Sequence, residues 1–151
     1  MNEGNRIPII KIWDIMLVSL QGEIGDAAAQ QLVQDVLERI QKTDTMGLVL
    51  DVTGLWLMDS HLCSMLSRLA ASAALMGVRS IISGMSPDNA LTLQLMGLEL
   101  RAIETVLDLE RALERLGVHV TPRETNWKGD EDEDFDVVHA FANAANPHAE
   151  G

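Results

Sequence analysis

Gly47-Leu48-Val49-Leu50-Asp51-Val52 runs through Thr53-Gly54 and a short apolar stretch into Met58-Asp59-Ser60. The first six residues are nearly all apolar, which reads as a central strand. From Ser60 the spacing changes: Leu62, Met65, Leu66, Leu69, Ala73 and Met76 recur every three or four residues, one side of a helix that Gly77 closes. A further strand, Val78 to Ser83, follows directly. Strand, helix and strand in immediate succession predict a parallel pairing and an α/β fold.

Reading outward from this unit, Ile7 to Trp13 and Met16 to Gln21 are two strands with Asp14-Ile15 as a tight hairpin turn. Asp26 is the expected N-cap of a helix with Ala29, Leu32, Val33, Val36 and Ile40 on its inner side, ending before Gly47. Downstream, Ser86-Pro87-Asp88 combines a capping hydroxyl, a first-turn proline and an acid, and Gly97 marks the end of the helix it starts. Ala102 to Leu107 is a last short strand, and Asp108 caps a final helix through Leu109, Ala112, Leu113 and Leu116 to Gly117. The order ββαβαβαβα implies a mixed, mostly parallel sheet with an N-terminal hairpin and about four helices.

The hydrophobic share is 47%, yet only three Trp and two Phe are present, so the core rests on Leu, Ile, Val, Met and Ala. Apolar runs stay below the ~18 residues of a membrane span and the N-terminus lacks the order of a secretion signal; a soluble cytoplasmic protein is expected. Residues 118–151 carry 2 basic and 8 acidic side chains, half of the net charge of −12. They include the run Asp130-Glu131-Asp132-Glu133-Asp134, and such a composition buries little and repels itself. The expected organisation is one domain over 6–117 and an acidic, mostly disordered extension over 118–151, in which Phe135, Val138 and Phe141 form at most a weak amphipathic turn. The charge argues against nucleic acid or anionic membrane as a partner.

Catalytic readings fail one by one. Ser60 has no base within reach, because His61 is the next residue and points about 100° away around the helix. Glycines of a nucleophile elbow are missing around it. His119, His139 and His148 have no metal-ligand spacing, and Asp130, Asp132 and Asp134 begin a calcium-like loop whose later positions, Phe135 and Phe141, are wrong. A receiver-type role for Asp51 lacks its acidic pair and lysine, and no glycine-rich phosphate cradle occurs. The single Cys63 lies on the apolar side of its helix and reads as a core residue, with no disulfide or multi-cysteine metal site open to it. Neither a cofactor nor a metal is expected. From spacing alone Ser60 is first of all a helix-capping serine, with phosphorylation the less frequent alternative.

The segment Leu48-Val49-Leu50-Asp51-Val52-Thr53-Gly54 with Met58-Asp59-Ser60 resembles the signature of the STAS domain, the family named for sulfate transporters and anti-sigma-factor antagonists. Ile7-Pro8-Ile9-Ile10-Lys11, Leu17-Val18-Ser19, Leu75-Met76-Gly77, Ala90-Leu91-Thr92-Leu93 and Ile103 to Glu110 are similar to the stressosome scaffolds of that family. The likeness spans about residues 6–117. It implies a non-enzymatic scaffold that co-assembles with itself and with RsbR-like paralogues and holds an RsbT-like switch kinase. That kinase phosphorylates the serine of the Asp-Ser pair, and an RsbX-like phosphatase reverses the step. Carried over, the acceptor is Ser60 and its neighbour Asp59, while a second acceptor position of the larger paralogues corresponds to Asp26. His61 departs from the apolar residue expected there, and the acidic tail is an addition. Two alternatives stay open: a simple partner-switching antagonist outside a stressosome, and a ligand-binding domain with a pocket near Asp59.

Overall fold

The computed structural model describes residues 6–98, 100 and 103–119. Nine elements follow in the expected order: β1 Ile9–Ile12, β2 Ile15–Gly22, α1 Asp26–Lys42, β3 Gly47–Leu55, α2 Ser60–Leu75, β4 Arg79–Ser83, α3 Pro87–Leu95, β5 Glu104–Val106 and α4 Leu109–Arg115. The acidic run at Asp130, the aromatics Phe135 and Phe141, and His139 and His148 lie outside the described residues.

The five strands stand in sequential order, β1 antiparallel to β2 and the rest parallel. Parallel neighbours added in one direction through right-handed crossovers put their connecting helices on one face. Accordingly, Val18, Leu20, Leu48, Leu50, Val52 and Ile82 meet Leu32 and Val36 of α1, Leu62, Leu66 and Leu69 of α2 and Leu93 of α3 in one core. The opposite face is covered by α4, whose Ala112 and Leu113 pack on Ile15, Leu17, Val49 and Ile81. Alternation along the strands therefore separates two apolar layers, and β2, β3 and β4 are buried on both sides. Glu104 of β5 receives both Arg79 of β4 and Arg115 of α4, tying the last elements to the sheet.

Several boundaries and one buried face differ from the expectation. The hairpin turns at Trp13-Asp14 instead of Asp14-Ile15, with Trp13 at φ 52, and Asp14 O accepts from Met46 N at 2.7 Å. That bond joins the turn to the start of β3 and lets pairing begin at Ile12 and Ile15. The last strand is limited to Glu104–Val106. On α2 the buried face is Leu62, Cys63, Leu66, Leu69, Ala70 and Ala73, while Met76 is the exposed C-cap residue.

Candidate functional site

Because β2, β3 and β4 run parallel, the connections that leave their carboxyl ends lie at one end of the sheet, and each delivers a helix N-terminus there. These are Asp26 of α1, Ser60 of α2 and Pro87 of α3. Asp51, near the end of β3, is buried and stands in register between Ser19 of β2 and Ser83 of β4. Its Oδ1 accepts from Thr53 N at 3.0 Å and from Thr53 Oγ1 at 2.6 Å, so its carboxylate shapes the strand end. Thr53 then lies over Gly84, where a Cβ would come within 2.0 Å of Thr53 Oγ1.

The connection from β3 to α2 is fastened along its length. Trp56 N donates to Gly22 O at 2.9 Å, continuing the β2–β3 ladder by one residue. Met58 is fully buried, and its N donates to Asn89 Oδ1 at 3.1 Å. Asn89, itself buried on α3, returns a bond from Nδ2 to Leu55 O at 3.4 Å. One amide side chain thus satisfies a backbone group at each end of the connection, Leu55 O and Met58 N.

Asp59 then takes the capping position. Its backbone is extended (φ −81, ψ 174) and its Oδ1 accepts from Leu62 N at 2.7 Å, which corrects the expectation that Ser60 caps the helix. Ser60 is the first helical residue and is exposed. The hydroxyl is consequently presented at the positive end of the helix while a neighbouring carboxylate supplies the cap. A similar correction applies at α1: Gly25 is the cap residue, without a side-chain bond, and Asp26 is the first helical residue.

His61 and Asp26, 35 positions apart, are brought together where α1 packs on α2, with His61 Nε2 3.4 Å from Asp26 Oδ1. Ser60, Asp59, Asp26 and His61 therefore share one end of the molecule. Cys63 is buried below them, and desolvation raises its thiol pKa above the ordinary value, consistent with a core role. His119 is exposed at the far side, beyond α4. Among the described residues no group of three or more His, Cys, Asp or Glu side chains is arranged to hold a metal ion, and no helix is long and apolar enough to cross a membrane. Sequence reasoning missed Asn89 and Trp56. The first had no local signal, and the second stood out only as an aromatic residue in a chain with few.

A family model for the STAS domain matches residues 6–115. The chain belongs to the STAS-domain family. The solved structures it resembles include a serine-to-glutamate variant of RsbS from Moorella thermoacetica, at 32% identity and TM-score 0.66, covering 75% of this chain and 96% of that one. A chain from the molecular architecture of the stressosome, a signal integration and transduction hub, is 30% identical with TM-score 0.61, covering 73% and 96%. Among characterised sequences, the RsbT co-antagonist protein RsbRD of Bacillus subtilis is 31% identical over 114 residues, 75% of this chain. This chain spans only 41% of that relative's length. Anti-sigma-factor antagonists of the STAS type are non-catalytic binding modules.

Proposed function

We propose that this chain is a non-catalytic stressosome scaffold, an RsbS-like anti-sigma-factor antagonist of the cytoplasm, which sequesters an RsbT-like switch kinase and releases it when Ser60 is phosphorylated. The observation that carries the reading is the division of labour at the α2 N-terminus: Asp59 makes the cap, and the exposed Ser60 hydroxyl is left for a partner. The similarity to RsbS and to a stressosome chain, each covered over 96% of its length, supports the scaffold class. Similarity to an RsbT co-antagonist supports an RsbR-like paralogue as co-assembly partner.

In the modification step Ser60 Oγ bonds to the γ-phosphorus of ATP, the bond from that phosphorus to the bridging oxygen breaks, ADP leaves, and the hydroxyl proton passes to a base of the kinase. The group added carries about −1.5 to −2 charges. At the helix N-terminus it gains roughly 0.3–1 kcal/mol from the dipole, offset by repulsion from Asp59, so the fold persists. Beneath a docked partner the same dianion must be desolvated, and disturbing a buried contact in this way costs about 2–5 kcal/mol, enough to free a kinase. An RsbX-like phosphatase resets the site by hydrolysis.

The ligand-binding alternative gains little support: cavities of about 520 Å³ beside Arg111 and Arg115 and about 540 Å³ beside Arg39 and Lys42 are lined by neither Asp59 nor Ser60, and the cavity at their end of the sheet, lined by Ser19, Gln21, Ile24 and Ala28, is only about 150 Å³ and does not include them either. Pull-down of the kinase by wild type, Ser60→Ala and Ser60→Asp tests the switch. Retention by the first two and loss by the third is expected, and equal retention by all three refutes it. Size-exclusion with the RsbR-like partner separates a scaffold from a one-to-one antagonist, since only the scaffold elutes as a very large particle.

A further inference from the structure

We infer that Trp56 and Leu57 are the apolar contact through which the kinase docks on the face carrying Ser60, an inference that rests on the phosphoacceptor reading above. Both side chains follow β3 directly and point into solvent, Trp56 at 80% and Leu57 at 52% exposure. In a chain with three Trp and two Phe, an indole left in solvent adds almost nothing to the core, so its apolar area stays available to a partner. Trp13 is the comparable exposed indole among the described residues, and it sits in the hairpin turn at the other end of the sheet.

The base under Trp56 and Leu57 is rigid. The bonds Trp56 N to Gly22 O, Met58 N to Asn89 Oδ1 and Asn89 Nδ2 to Leu55 O fix the backbone on either side, and buried Met58 anchors it from within. A bulky side chain held on a fixed backbone loses little entropy when a pocket closes on it, which is why Trp is frequent among residues that dominate binding energy. Ser60 is four positions from Trp56, and an enzyme that brings a nucleotide γ-phosphate to its hydroxyl necessarily covers the connection leading to it. Two other classes of occupant fit poorly. Glu23, Asp26, Asp59 and Asp88 all lie on the connections or first helical turns at this end, so nucleic acid and acidic lipid are repelled. The occupant is a folded kinase with an apolar socket beside its active site. Because the connection is pinned, Ser60 is recognised as part of a folded surface and not as an extended peptide.

The test uses the full chain and a recombinant RsbT-type kinase from the same organism, with affinity read by surface plasmon resonance and Ser60 phosphorylation read by mass spectrometry at sub-saturating kinase. Trp56→Ala is expected to weaken binding about tenfold or more and to slow phosphorylation in step, Leu57→Ala several-fold, and Trp13→Ala less than about twofold. Circular dichroism and melting of Trp56→Ala should match wild type, as befits a surface substitution. A synthetic peptide covering residues 54–66 should not be phosphorylated. Wild-type behaviour of Trp56→Ala overturns the inference, and so does equal weakening by Trp13→Ala. Failure of the wild type itself to bind the kinase or accept phosphate instead overturns the phosphoacceptor reading, so the two failures are told apart.

Discussion

Asp59 Oδ1 lies 2.7 Å from Leu62 N, and this single bond makes Asp59, not Ser60, the residue on which the α2 N-terminus depends. Replacing Asp59 by Ala is expected to lower stability by about 1 kcal/mol, whereas Asp59→Asn retains most of it. Ser60→Ala should change stability by less than about 0.5 kcal/mol, as an exposed side chain outside the cap. Urea unfolding of the three variants checks the assignment. A larger loss for Ser60→Ala than for Asp59→Ala contradicts it.

Gly84→Ala is expected to be strongly destabilising. Gly84 has φ +80, where a Cβ is strained, and the added carbon would sit 2.0 Å from Thr53 Oγ1 and 3.2 Å from Asp51 Oδ1. The conformational part alone costs about 1 kcal/mol, and the clash adds to it. In a Thr53→Ala background the clash is relieved, so the penalty of Gly84→Ala should fall there without vanishing. Thermal melts of the double-mutant cycle measure the difference.

Asn89→Leu should cost about 2 kcal/mol or more, because it strands two buried backbone groups, Met58 N and Leu55 O. Hydrogen exchange is the informative readout. Protection is expected to drop first at Trp56, Met58 and Leu62 while β2 and β3 keep theirs.

Burial raises the pKa of the Cys63 thiol, so the folded state favours the protonated form. A group whose folded pKa is raised contributes stability that is complete below its unfolded value and is lost as pH rises through the folded one. Stability should therefore decline in the alkaline range above the ordinary thiol pKa, and Cys63→Ala should lack that component of the decline. Labelling by a thiol reagent at pH 8 should be slow in the folded chain and fast in urea.

The β3–α2 unit was legible because an apolar run gives way to a three-and-four spacing at one place, and Ser86 and Asp108 were legible as caps because no second candidate stands beside them. Asp59-Ser60 and Gly25-Asp26 each offer two adjacent residues suited to a helix start. Which one keeps extended backbone is settled by tertiary contacts, in the first case by Asn89 holding Met58 from 31 positions away. The turn at Trp13 was unreadable for a related reason. Left-handed backbone favours Gly or Asn, and Trp13 adopts it because Asp14 is bonded to Met46 at the start of β3. The approach of His61 to Asp26 likewise follows from α1 packing on α2, a contact with no local trace in the chain. Membership in the STAS family was legible throughout residues 6–117, and the match over 6–115 agrees with it.

The central claim is that phosphate on one hydroxyl, Ser60, ends the hold on the kinase. Its most direct measurement is phosphopeptide mapping after incubation with the RsbT-type kinase and ATP, paired with kinase affinity for the same sample before and after stoichiometric modification. The account expects a single modified residue, Ser60, and an affinity loss of at least tenfold that dephosphorylation restores. Modification elsewhere, or stoichiometric phosphate on Ser60 with unchanged affinity, would contradict it.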